Sequence, residues 1–209
     1  MKKDRSECDV LTEAEHLLRE MKQLWSESDE IWERCRNQLE FGSFVSADYL
    51  AIYRELIQLQ GQVETVLEWG SGLGVVTIMA SRLGFDAYGI EVEPVLVERS
   101  LELAEIYGPD AQFATGSFIP DEYEWDSEIT SDSTRTDHDS RDAYDELDME
   151  LRDFDLIYAY PWPDEHPFFM NILRTCGRKG SLFLSYDARE GTALTRVESM
   201  RQSSPDFLR

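Results

Sequence analysis

Apolar residues return on a heptad along the first part of the chain. Val10, Leu17, Leu24 and Ile31 recur at every seventh position. Leu11, Leu18, Trp25, Trp32 and Leu39 follow one step later, and Ala14, Met21, Ser28 and Cys35 fill the offset. This is a helical seam broadened to three positions. No Pro or Gly interrupts it, and Glu, Arg and Leu are frequent, so the pattern predicts one long helix over 10–39, stopped by Gly42. Such a seam must be covered. It either docks on its own domain or pairs with a second copy to give a homodimer through 10–39. Two Trp in the seam suit irregular docking better than a regular zipper.

A second helix is predicted at 47–59, with Ser46 as N-cap, Asp48 in the first turn, and Ile52, Leu56 and Leu59 inward. From residue 63 the period alternates. Strands are predicted at 63–69, 85–91 and 111–115. A helix at 73–83 and a helix opened by Pro94 and closed by Gly108 lie between them. This order means a parallel sheet with helices on both faces. The rhythm stops at 121–150, which is dense in Asp, Glu, Ser and Thr and has only Arg135 and Arg141 as bases. It reads as an acidic, mobile insertion, dispensable for folding. The sheet resumes at 154–160, followed by a helix through Phe168, Phe169, Ile172 and Leu173, a strand at 181–187 and a short last strand at 192–198. The expected organisation is a helical extension over 1–60 and an α/β domain over 61–209 with an abbreviated C-terminal end.

Charge narrows the partners. With 43 acids against 20 bases the net charge is -23, a field that repels polyanions and argues against a nucleic-acid partner. Cys8, Cys35 and Cys176 are widely spaced and form no CxxC pair, so no zinc site or disulfide framework is signalled, and no metal is expected. The opening MKKDRSECDV lacks the apolar stretch of a secretory signal, and no run of about 18 apolar residues occurs, so no membrane span is expected. The default compartment is the cytoplasm.

The chemistry centres on Glu68-Trp69-Gly70-Ser71-Gly72-Leu73-Gly74, where the first predicted strand ends and a helix begins. In an open parallel sheet ligands bind at the carboxyl ends of the strands, near the point where strand order reverses. A dinucleotide fingerprint needs its last Gly where Val75 stands, which argues against a nicotinamide-dependent dehydrogenase. A phosphate loop would need GxxxxGK[ST], which is missing. Glu91 ends the second strand, where a carboxylate accepts both ribose hydroxyls of a nucleoside.

The stretch VLEWGSGLGVVTIMASRLGFDAYGIEVEP resembles the nucleotide-binding half of class I S-adenosylmethionine-dependent methyltransferases. The resemblance covers about residues 63–187 and is strongest over 63–118. It implies a Rossmann-like, doubly wound parallel sheet and S-adenosylmethionine as cofactor. It implies that Glu68 sits near the methionine ammonium and that the turn from Trp69 through Gly70, Ser71, Gly72 and Gly74 lines the methionine and ribose. Glu91 would hold the ribose. Ser117 and Phe118 would flank adenine, Ser117 standing where Asp is frequent. The block 44–49 resembles a segment that closes over the cofactor.

The fourth strand ends in Tyr160-Pro161-Trp162-Pro163-Asp164-Glu165-His166. Amino-group methyltransferases often carry [DN]PP[YFW] there, and Tyr160 replaces the Asp or Asn. This argues against methylation of the amino groups of nucleobases or glutamine. Tyr160 and Trp162 are expected to line the acceptor pocket. His166 is the candidate base because an imidazole titrates near neutrality. Asp164 is expected as an N-cap. The function so implied is in-line methyl transfer to a small-molecule or protein acceptor. The alternative is a non-catalytic S-adenosylmethionine-binding sensor or interaction protein.

Overall fold

A computed structural model describes residues 7–37, 46–124, 136, 141 and 143–198; Leu39, Gly42 and most of 125–142 lie outside these. Among the described residues, six strands form one sheet in the order β3-β2-β1-β4-β5-β6. They are β1 (Thr65–Trp69), β2 (Asp86–Glu91), β3 (Gln112–Thr115), β4 (Leu156–Ala159), β5 (Leu182–Asp187) and β6 (Gly191–Arg196). The first five are parallel, and β6 runs antiparallel to β5, so the sheet is mixed at one edge. The physical reason is the connection. Asp187 accepts the backbone N–H of Arg189 (2.7 Å) and Glu190 (3.0 Å), making a tight turn with no room for a crossover helix.

The β1 side chains sort by the two-residue period of a strand. Val66 packs on one face among residues of α2 (Tyr49–Leu59), α3 (Val75–Arg82) and α4 (Pro94–Tyr107). Leu67 and Trp69 pack on the other, with α5 (Tyr144–Leu147), a 3₁₀ turn at Leu151–Asp153 and α6 (His166–Cys176). Helices on both faces explain why these strands read as continuous apolar runs.

The long helix, α1 (Glu7–Cys35), lies on its own domain. Met21, Leu24 and Ser28 are buried, while Leu17, Leu18, Trp25, Ile31 and Trp32 pack half-buried around them. Polar contacts fix its register. Arg82 bridges to Glu20 (2.6 Å), the Tyr107 hydroxyl donates to Glu27 (2.8 Å), and Trp25 Nε1 donates to Met79 Sδ (3.1 Å). The apolar seam is therefore used within the chain. Among the described side chains of α1, no large apolar one is left fully exposed.

Two capping expectations change. The cap of α2 is Asp48, whose Oδ1 accepts the Ala51 N–H (3.1 Å), while the Ser46 hydroxyl donates to Asp29 (3.2 Å) and ties α2 to α1. At α6 the cap position is Glu165, without a side-chain cap bond, and Asp164 holds a left-handed φ of 73° in the turn before it.

The ends of the acidic segment are built into the domain. Tyr123, Ala143, Tyr144 and Leu147 are buried, and the Tyr123 hydroxyl donates to Asn171 (2.6 Å). Ser117 N–H donates to Arg141 O (2.9 Å), and Ala143 N–H donates to Ser117 O (3.0 Å). About half of the stretch 121–150, expected to be mobile and dispensable, lies outside the described residues.

Candidate functional site

Strand order reverses between β1 and β4, and in open α/β sheets ligands bind outside the carboxyl ends of the strands at such a point. The loop from Gly70 to Gly74 leaves β1 there and enters α3. Gly72 and Gly74 take left-handed φ of 54° and 70°. At Gly74 space also demands glycine, because a Cβ would stand 2.5 Å from the Phe113 ring and 2.8 Å from Ser100 Cβ. Gly70 also takes a left-handed φ, of 66°, but there a Cβ would meet nothing within 4 Å, so conformation alone favours glycine. Between these glycines Ser71 is buried, and its hydroxyl has no hydrogen-bond partner among the described residues. Buried hydroxyls are ordinarily paired, so Ser71 is a polar group that a ligand on the glycine turn could engage.

Two buried carboxylates hold this loop from the same face of the sheet. Glu91 Oε2 accepts the Gly72 N–H (2.8 Å) and Oε1 accepts the Glu93 N–H (3.1 Å). Burial raises the Glu91 pKa, against these backbone donors. Glu68 Oε2 accepts both the Thr77 N–H (2.8 Å) and the Thr77 hydroxyl (2.6 Å), so it fastens the first turn of α3. Burial pushes the Glu68 pKa up to about 8, with Thr77 opposing and the Glu91 charge adding to the rise.

A pH effect follows. The folded Glu68 keeps its proton up to about 8, whereas the ordinary carboxyl releases it near 4.5. Between those values the folded state binds more protons, so this group's contribution to stability falls as pH rises, by at most about 1.4 kcal/mol per unit. Glu68→Gln removes the titration and can keep a carbonyl for Thr77. Thermal unfolding followed between about pH 5 and 8 is expected to show a shallower decline in the variant. Parallel declines in the two proteins contradict the assignment.

Trp69, Ser117 and Phe118 are placed differently from the glycine turn. The Trp69 ring lies in the core, stacked on Phe118 at 4.7 Å and edge-on to Phe169 at 5.7 Å. Its Nε1 donates to the Tyr144 hydroxyl (3.1 Å), which donates to Phe118 O (2.7 Å). Only the Trp69 backbone therefore belongs to the turn. Phe118 is buried against Trp69 and Phe169, and its stacking partner is the Trp69 indole. The Ser117 hydroxyl accepts the Ile119 N–H (3.1 Å), forming the turn after β3.

No protein-family model and no curated protein matches the sequence. Solved structures do match in fold. The RNA methyltransferase from Salinibacter ruber, in complex with S-adenosyl-L-homocysteine, superposes with a TM-score of 0.52 at 15% identity, over 78% of this chain and 99% of that one. The O-methyltransferase from Bacillus cereus, in complex with SAH, gives 0.51 at 17% identity over 78% of this chain; the match spans 65% of that protein. The chain has the class I methyltransferase fold.

In this methyltransferase fold Trp69 pairs with Ala159, so Tyr160 starts level with Gly70 on the neighbouring strand. Tyr160 is half-buried, and its ring meets Tyr186 of β5 edge-on at 4.9 Å and 85°. His166 is exposed at the start of α6, and its ring lies 5.6 Å from Phe183. Tyr186 packs with the α2–α4 core and Phe183 with the α5–α6 core, so the two catalytic candidates contact opposite faces of the sheet. The structure does not bring them together. Tyr49, from the expected closing segment, is half-buried and stacks on Trp25 at 6.4 Å. Its hydroxyl pKa is raised, first by burial, and the charge of Glu68 adds to the rise.

Thr77, Tyr144 and Tyr186 escaped the sequence reading. Thr77 had a signal, being the first-turn hydroxyl three residues beyond Gly74. Among the described residues no group of three or more His, Cys, Asp or Glu is placed to hold a metal ion, and no helix is long and apolar enough to cross a membrane.

Proposed function

We propose that the chain is an S-adenosylmethionine-dependent methyltransferase that moves the methyl group in line to a small-molecule or protein acceptor. The observation that carries this reading is Glu91, a buried carboxylate at the end of β2 clamped to the Gly72 N–H of the glycine turn. In this reading Gly70, Ser71 and Gly72 hold the methionine and ribose, and Ser71 Oγ gains the partner it lacks. Glu91 accepts from the ribose hydroxyls, Glu68 supports the ammonium end through α3, and Ser117 lies on the adenine side. The bound cofactor supplies a methyl group already activated on a sulfonium. The protein then has to align the acceptor and keep water out. A base is needed only for an acceptor that holds a proton at neutral pH.

The fold leaves the acceptor open, since the two similar structures are described as an RNA methyltransferase and an O-methyltransferase. A net charge of -23 favours a small molecule or a protein over RNA. The proposed compartment is the cytoplasm, where cysteines spaced as these are stay reduced.

One observation favours a second reading. Tyr160 replaces the amide or carboxylate, and His166 lies on the other face. A sensor that binds the cofactor without transferring its methyl needs neither. Methyl-labelled S-adenosylmethionine, incubated with a metabolite pool and separately with a protein extract, distinguishes them. Label in a new product is expected. Cofactor binding without any transfer overturns the enzyme reading and leaves the sensor.

A further inference from the structure

At the carboxyl ends of β4 and β5 the sheet presents an aromatic corner. Ala159 pairs with Ser185, so Tyr160 and Tyr186 follow in register on one face, and their rings stand nearly perpendicular. Both are half-buried, so each residue keeps some accessible surface. Acids follow both tyrosines along the chain. The loop after β4 carries the exposed Asp164, while the next residue, Glu165, is buried and its carboxylate accepts the Thr136 hydroxyl (2.8 Å). The turn after β5 carries Asp187 and Glu190, with Arg189 as the one base between residues 160 and 190 on these two turns. Asp187 is exposed, and its carboxylate is held ionised by the Arg189 and Glu190 N–H groups. From α2, Glu55 reaches the same edge and accepts the Thr192 hydroxyl (3.3 Å).

Accessible aromatic rings attract cations through their quadrupole, and surrounding carboxylates deepen the potential. A neutral apolar group gains the same contact area but neither of these. We propose that the Tyr160–Tyr186 corner recognises a cationic ammonium group on the methyl acceptor and so selects positively charged acceptors. The inference rests on reading the end of β4 as the acceptor side of a methyltransferase. It concerns recognition and assigns no atom that receives the methyl.

Choline and its neutral carbon isostere 3,3-dimethylbutan-1-ol share shape and hydroxyl and differ in charge. Both are titrated into the full-length chain saturated with S-adenosyl-L-homocysteine, and binding is followed by NMR. Choline is expected to bind at least about threefold more tightly than the isostere. Tyr186→Leu is expected to abolish that preference and Tyr186→Phe to keep it, because Phe retains the ring. S-adenosyl-L-homocysteine titrations of the same variants check that each is folded. Equal affinities for the two probes, no choline binding, or a preference that survives in Tyr186→Leu overturns the corner. Failure of S-adenosyl-L-homocysteine to bind the unaltered chain, with the choline preference intact, overturns the cofactor reading instead.

Discussion

Leu24→Ala is expected to destabilise the whole domain by about 2–5 kcal/mol, the range for emptying a leucine site in a packed core. Leu24 is fully buried although it belongs to the first helix, and its surroundings are core residues of the sheet domain. Beside it, Met21 and Ser28 are buried, and Trp25 reaches Met79 of α3. Were α1 an appendage, the substitution would change its docking and leave the main unfolding transition alone. Because α1 contacts α3, which carries the glycine turn, both are expected to melt together at lower denaturant. Chemical unfolding followed by Trp fluorescence and by circular dichroism checks this. Two separated transitions, with the main one unmoved, contradict it. Full exposure of the mutated seam would also favour self-association, so sedimentation belongs beside the unfolding curve.

Glu91→Ala has the second large effect. Two acceptor bonds disappear at once, to Gly72 and Glu93, and the Gly72 N–H loses its partner inside the domain. The same carboxylate is the proposed ribose acceptor. Hydrogen bonds to a charged group are each worth about 1.5–3 kcal/mol, so affinity for S-adenosyl-L-homocysteine should fall at least about tenfold. Glu91→Gln keeps one acceptor oxygen and should lose less. Both variants should remain folded, because the glycine turn is also fastened at Thr77 by Glu68. An Ala variant that binds as tightly as the unaltered chain removes Glu91 from the site.

The glycine turn and Glu91 were legible because their signals are local. A strand end, three glycines at alternate positions and an acid at the next strand end follow one another within about one strand–helix–strand unit. The parallel order was legible for the same reason, since alternating periods leave few topologies. What depended on distant partners was not. Nothing around Trp69 announces that Tyr144, 75 residues away, takes its N–H and turns the ring into the core. Nor does anything around Phe118 announce that its ring stacks on Trp69. Ser46 and Asp48 are equally good caps by type, and the choice was made by Asp29 on α1, which takes the serine hydroxyl. The direction of β6 rests on a four-residue turn whose Asp187 bonds are invisible in the hydrophobic pattern. The Tyr160–Tyr186 corner needed the β4–β5 register before either tyrosine could be placed beside the other.

In the proposed function, the turn between Glu68 and Gly74, with Glu91, binds S-adenosylmethionine. Titration calorimetry of the full-length chain with S-adenosyl-L-homocysteine tests it most directly, with NAD as the competing nucleoside ligand. One-to-one binding of S-adenosyl-L-homocysteine that weakens in Glu91→Ala, and no binding of NAD, is the predicted result. Absence of S-adenosyl-L-homocysteine binding to the folded chain, or binding of NAD in its place, would contradict the account.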